Sequence, residues 1–163
     1  MPTEHREPPV FFDISPVATK VKIKRVHPDA VIPKYATPGS AGFDMVAVED
    51  VTLEPGEAKL VRTGLAFEIP EGYEMQVRPR SGISLKTPLR IANSPGTVDA
   101  DFRGEVRIIA WNTGDDEISI NKGDRIAQGV IAPVVRAQFE VVDELSETER
   151  GAGAFGSTGT KTE

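Results

Sequence analysis

Short runs of alternating apolar and polar side chains dominate this chain. Val21-Lys22-Ile23-Lys24 opens the pattern. It continues through Lys59-Leu60-Val61, Leu65–Ile69, Tyr73–Val77, Glu105–Trp111, Glu117–Ile120, Ile126–Ile131 and Phe139–Val142. A period of two puts successive side chains on opposite faces of a strand, so each run predicts a strand with one buried face. Pro55-Gly56, Glu71-Gly72, Pro95-Gly96, Thr113-Gly114 and Lys122-Gly123 separate the runs with turn chemistry. Strands at such close spacing predict an all-β sandwich or barrel. No window carries a helical apolar stripe of useful length. One short helical turn is expected after Ser81, and no internal repeat is visible.

Both ends of the chain depart from this pattern. Residues 1–19 are rich in proline and mixed in charge, and read as a flexible arm. Residues 20–142 form the expected β-domain. Residues 143–163 form a C-terminal arm, acidic at first and then glycine-rich over 150–159. A chain of 163 residues has the length of one domain. Its net charge of −6 argues against a nucleic-acid coat, which needs a basic stripe. Cysteine is absent, so disulfides, thiolate metal sites and cysteine nucleophiles are excluded. With only two histidines, His5 and His27, a histidine-rich metal cage is not expected, and a hard cation on oxygen ligands is the natural metal. No stretch is apolar enough for a membrane span, and the acidic, proline-containing start does not resemble a targeting peptide. A reducing cytoplasm is the expected location.

Five segments carry candidate chemistry. Pro38–Met45 (PGSAGFDM) is a tight turn that delivers Asp44 at the start of a strand. Arg78–Ser84 (RPRSGIS) combines Arg80, the Ser81 hydroxyl and the free N–H groups of a helix start at Gly82, a set suited to an anion. Gly96–Glu105 (GTVDADFRGE) reads as a strand with Asp99, Asp101 and Arg103 on one face and Phe102 on the other, although Asp is disfavoured in strands. Asn93 precedes it with a donor and an acceptor suited to a base edge. In Lys122–Gln128 (KGDRIAQ), Arg125 and Gln128 suit phosphate contact, while Asp124 and Arg125 equally suit a surface ion pair. Arg150–Gly159 (RGAGAFGSTG) lacks the lysine and the βα setting of a P-loop. It reads as a mobile flap, with charge from Arg150, a stacking ring from Phe155 and hydroxyls from Ser157 and Thr158.

In this order, the five segments resemble the motifs of the trimeric deoxyuridine triphosphate nucleotidohydrolases, the dUTPases, over residues 20–159. The resemblance implies a jelly-roll-like β-barrel assembled as a homotrimer. Each active site would draw on all three chains, with the C-terminal segment exchanged between neighbours. From Asp143 to Gly156 the chain can reach up to ~46 Å if extended. The implied reaction is attack of water on the α-phosphorus of dUTP, giving dUMP and pyrophosphate, with Mg²⁺ on the triphosphate. Such an enzyme, a dUTP diphosphatase, keeps uracil out of DNA and supplies dUMP for dTMP synthesis.

By resemblance, Asp99 is the base that activates the water. Asn93, Thr97, Val98 and their hairpin read uracil, and Phe102 packs on the sugar. Arg80, Ser81, Gly82, Gln128, Arg150, Gly156, Ser157 and Thr158 hold the phosphates and close the site, with Phe155 stacking on uracil. Asp44 contacts the metal through water.

Departures from the family pattern are three. Phe102 stands where Tyr is usual, Ala154 replaces a usual Gly, and residues 1–19 have no counterpart. A dCTP deaminase of the same barrel is an alternative, but it would carry a second serine where Gly82 stands. A nucleotide-gated regulatory protein is the other.

Overall fold

The computed structural model describes residues 18–159. Much of the expected N-terminal arm, residues 1–17, lies outside the described residues. The described residues form ten strands and one short helix: β1 Lys22–Arg25, β2 Phe43–Val46, β3 Val51–Leu53, β4 Ala58–Glu68, β5 Tyr73–Arg78, α1 Ser81–Lys86, β6 Leu89–Ile91, β7 Gly96–Val98, β8 Glu105–Asn112, β9 Ile118–Ile120 and β10 Arg125–Pro133. Two four-stranded sheets, ordered β1-β4-β8-β6 and β2-β10-β5-β7, and a β3-β9 ribbon make the jelly-roll-like β fold expected from the alternation. Every pairing is antiparallel. No helix among the described residues is long and apolar enough to cross a membrane.

The buried halves of the alternating runs meet in one core. Met45, Leu53, Val61, Leu65, Met75 and Ile108 are fully enclosed. Thr63 and Asn112 are the buried polar residues among those described, and both are satisfied. Asn112 donates to the carbonyls of Leu53 (3.0 Å) and Asp116 (2.8 Å) and accepts from Gly114 N–H (2.9 Å). It thereby fixes the turn after β8 and ties β8 to β3, as a buried amide must.

Three expectations are corrected. The runs at Lys59–Val61 and Leu65–Ile69 are one strand, β4, with a register shift against β8 between Arg62 and Ala66. Gly64 sits in that shift at φ +68, and a Cβ there would meet His27 Cβ at 2.7 Å, so glycine alone lets the loop before it pack closely. The strand expected over Phe139–Val142 does not form. Phe139 and Val141 are exposed, and no strand among the described residues lies beside them. The helical turn expected after Ser81 starts one residue earlier: α1 begins at Ser81 itself, with Arg80 in the cap position and no side-chain cap bond.

Candidate active site

The sheet order β2-β10-β5-β7 decides which motifs meet. Asp44 lies on β2, Gln128 on β10 opposite both Asp44 and Arg78, and Arg80 and Ser81 follow β5. Three motifs far apart in sequence thus converge at one end of a sheet.

Asp44 is the hub of this convergence. Its Oδ1 takes the Arg80 Nε at 2.8 Å and its Oδ2 the Arg125 Nη1 at 3.3 Å. Arg80 Nη1 also donates to the Arg125 carbonyl at 3.2 Å. The Asp124–Arg125 pair considered from sequence is not made: Arg125 turns to Asp44, and Asp124 Oδ2 accepts the Asn121 N–H at 2.8 Å. Gln128 Nε2 donates to Pro79 O at 2.9 Å, bracing the turn that carries Arg80. A side chain at Gly42 would push the Gln128 amide aside and disturb its bond to Pro79.

Two guanidinium groups around one carboxylate leave the patch net positive in an acidic protein. Arg80 has five N–H donors and engages through Nε and Nη1, so its remaining donors are pre-aimed. The first bond of α1 runs from Ser84 N–H to Arg80 O, so the N–H groups of Ser81, Gly82 and Ile83 find no partner within the helix. Ser81 and Gly82 are exposed beside them. The cluster therefore suits a polyanion.

The GTVDADFRGE segment is built differently from its sequence expectation. Only Gly96–Val98 is strand, and Asp99–Phe102 is a turn closed by Phe102 N–H to Asp99 O at 3.2 Å. Arg103 Nη1 braces it by donating to Ala100 O at 2.6 Å. The poor strand propensity of aspartate prevails, so the opposed faces expected for Asp99 and Phe102 do not exist.

The segment leaves one sheet at β6, visits the other as β7 and returns as β8. The crossing leaves a cleft of about 270 Å³ lined by Asn93, Gly96, Thr97, Val98, Asp99 and Phe102, with Val77 and Ile108 among its apolar walls. Because β7 is the last strand of its sheet, one of its edges keeps unpaired backbone donors and acceptors. Phe102 is 45% exposed, and its ring lies over Gly104, where a Cβ would meet its Cζ at 2.7 Å.

A charged clamp at the root of this hairpin was not singled out from sequence. The Glu105 side chain, 8% exposed, receives the Arg62 guanidinium at Nε (3.0 Å) and Nη2 (2.9 Å) and Arg107 Nε at 3.0 Å. The bond from Arg62 is the main reason that the Glu105 carboxyl is held below its ordinary value. A carboxyl so lowered contributes stability above its unfolded pKa and loses it as pH falls through the folded one. Glu105→Gln is therefore expected to lower Tm at pH 7 by roughly 2–4 °C. In thermal melts across pH, that gap closes below about pH 4.5. A gap that does not change with pH would refute the clamp.

The tail stands apart. Its last backbone bond to the body is Val134 N–H to Gly72 O at 2.8 Å. Among the described residues, no hydrogen bond or ion pair joins 135–159 to the body. Arg150 Nε donates to Gly153 O at 2.8 Å, within the tail. Phe155 is fully exposed at φ +51. Arg150, Phe155, Gly156, Ser157 and Thr158 therefore touch neither Asp99 nor Arg80 of their own chain.

Comparison with known proteins gives a consistent result. The dUTPase family model matches residues 28–159. A deoxyuridine 5'-triphosphate nucleotidohydrolase of Nautilia profundicola is 54% identical over 140 residues, covering 86% of this chain and 99% of that protein. One from Bdellovibrio bacteriovorus is 53% identical, covering 88% and 97%. Among solved structures, the Staphylococcus bacteriophage 80alpha dUTPase with dUPNHPP superposes at a TM-score of 0.82 with 32% identity, over 88% of this chain and all of that one. A mutant dUTPase from phage phi11 of S. aureus, described for its coordination of a structural Mg(II) ion, superposes at 0.74 with 28% identity, over 79% and 100%.

Proposed function

We propose, on the premise that this chain belongs to the dUTPase family, that its two clusters are complementary parts of a site assembled between copies. The chain is a dUTP diphosphatase, which hydrolyses dUTP to dUMP and pyrophosphate. The assignment of residues to that reaction is the proposal.

The observation that carries it is the β5–β7 register. Val98 pairs with Met75 and Gly96 with Val77, so Asp99 lies level with the start of β5. Arg80 follows the other end. Six residues of strand separate their levels, about 20 Å at 3.3 Å per residue. A base on the attacking water and an arginine on the adjacent phosphates must lie within hydrogen-bond reach of neighbouring atoms. One chain cannot bring both to the same nucleotide, whereas a homotrimer can, with Asp99 of one copy facing Arg80 of another. Among the described residues the arm makes no bond to the body and leaves Phe155 bare, which supports its exchange onto a neighbour. On this reading the body is residues 20–142 and the exchanged arm 143–163.

In the joined site, the edge of β7 and Asn93 read the polar edge of uracil. A methyl on the ring meets the hairpin wall, and Phe102 packs on the deoxyribose. Arg80, Ser81, Gly82 and Gln128 hold phosphate oxygens, and Asp99 takes the proton of the attacking water. The tail's Arg150, Gly156, Ser157 and Thr158 cover the phosphates while Phe155 stacks on uracil and excludes water.

Among the described residues, no three acidic or histidine side chains come together to cage a metal. Asp44 is already shared between two guanidinium groups. That donor set fits a Mg²⁺ held mainly by phosphate oxygens and water, with Asp44 accepting from a metal-bound water. When bound, the ion neutralises charge on the triphosphate. The absence of cysteine suits the proposed cytoplasmic location.

The test is pyrophosphate release with Mg²⁺ from dUTP, dTTP, dCTP and UTP in parallel. Fast turnover of dUTP alone is expected. Ammonia release from dCTP would instead favour the deaminase, and a dUTP-dependent rise in Tm without turnover would favour a binding role.

Phe102 adds a specific expectation. Its ring excludes a 2′-hydroxyl by bulk rather than by a phenolic group, so UTP is still rejected. Phe102→Ala should narrow the dUTP-to-UTP ratio of kcat/KM by about 10–100-fold. An unchanged ratio would remove Phe102 from sugar selection.

A further inference from the structure

The turn that carries Asp99 and Phe102 is gripped by one side chain. Arg103 Nη1 donates to Ala100 O at 2.6 Å and to Phe102 O at 3.2 Å, so a single nitrogen ties two carbonyls of the turn together. Its other terminal nitrogen, Nη2, lies 3.8 Å from Glu68 Oε1, at the end of β4. Glu68 in turn pairs with Lys22, which faces it across the β1–β4 ladder. Lys22 first, and Arg103 after it, hold the Glu68 carboxyl below its ordinary value, so it stays charged at neutral pH. A line of alternating charge thus runs from β1 through β4 to the turn.

We propose, on the site assignment above, that Arg103 is a positioning residue that sets Asp99 against the attacking water and Phe102 against the deoxyribose, with Glu68 as its anchor. The turn itself is closed by one backbone bond, from Phe102 N–H to Asp99 O. Asp99, Asp101 and Phe102 are exposed, so without a further tie water competes for the turn's polar groups. Arg103 supplies that tie through the backbone. Among the described residues it makes no ion pair with Asp99 or Asp101, although both belong to the same turn. The Asp99 carboxylate therefore keeps its lone pairs for water, as a base requires. Gly104, on the far side of Arg103 in the chain, lies under the Phe102 ring. A shift at residue 103 thus moves the carboxylate and the ring together.

Arg103→Met keeps the aliphatic stem and removes the guanidinium. It is expected to lower kcat for dUTP roughly 10–100-fold, as a displacement of about 1 Å in a reacting group does. The dUTP-to-UTP ratio of kcat/KM should narrow several-fold, because Phe102 rides on the same turn. An exposed ion pair of this kind contributes little to stability, so Tm should hardly move. Arg103→Lys is expected to recover only part of the loss, since an ammonium lacks the planar fork that spans the carbonyls and Glu68. Glu68→Gln should act in the same direction more weakly, and add nothing in the Arg103→Met background.

The deciding measurement combines Arg103→Met with Asp99→Asn. A residue that acts through the base has little left to act on, so the second replacement should cost less than about threefold in kcat. The full loss persisting in that background would overturn the proposal, as would unchanged turnover and an unchanged UTP ratio in Arg103→Met alone. A lowered Tm with equal losses on dUTP and UTP would make Arg103 a residue of the fold and overturn it too. Full turnover in Asp99→Asn by itself would overturn the site assignment, and is read separately.

Discussion

Asp99→Asn is expected to lower kcat for dUTP by roughly 10²–10⁴-fold, the usual contribution of a positioned general base. Asparagine has the same shape as aspartate and keeps the turn, because the closing bond uses the residue 99 carbonyl and the Phe102 N–H, not the side chain. The Asp99 side chain is exposed in the single chain, so its replacement leaves no buried group unsatisfied and the Tm should hardly move. The loss is confined to proton abstraction from water, so kcat and kcat/KM fall together while KM stays near its original value. Steady-state pyrophosphate release and a dUTP-dependent thermal shift measure the two quantities separately. A variant with normal kcat would show that another group activates the water. One that no longer shifts with dUTP would make Asp99 a binding residue.

The expected turnover loss at Asp99 rests on a segment whose chemistry was easier to read from sequence than its geometry. Alternation located β1, β5, β8 and β10 because each hides one face in the core. It joined neither half of β4, since Arg62-Thr63-Gly64 reads as a break until Gly64 is seen packed against His27 in the shifted register. It missed β3 and β6, three-residue strands too short for periodicity. Phe139–Val142 has the composition of a strand, but a strand is a property of a pair, and the described residues of this chain supply no partner. Residue chemistry marked Asp44, Arg80 and Arg125 separately. That they share one carboxylate depends on β2 lying beside β10, a long-range fact no local pattern encodes. The Glu105 clamp was hidden for the same reason: Arg62 is 43 positions away along the chain and becomes a neighbour only through the β4–β8 pairing.

The proposed division of the site between copies leads to an expectation of comparable size. Two variants are prepared, Asp99→Asn and a chain ending at Glu149. On the proposed assignment each variant lacks one essential part: the first the proposed base, the second the proposed flap. Mixed one to one and reassembled from denaturant, they should recover activity well above either parent. If base and flap reach a site from different chains, each is intact with even odds, and about one quarter of sites regain both. If both came from one chain, every site would still lack one part and mixing would recover nothing.

The structure favours the first outcome on two independent grounds. The β5–β7 register separates Asp99 from Arg80 by about 20 Å along the strand, so one chain does not hold both sides of a phosphate. The tail leaves the body at Val134 without a further bond to it, and carries its stacking ring and hydroxyls in the open. Truncation at Glu149 removes none of the core and none of the Phe139–Val142 stretch. Pyrophosphate release before and after mixing, with a label on each parent to verify subunit exchange, reads the result. Exchange without recovered turnover would place the base and the flap of each site in the same chain.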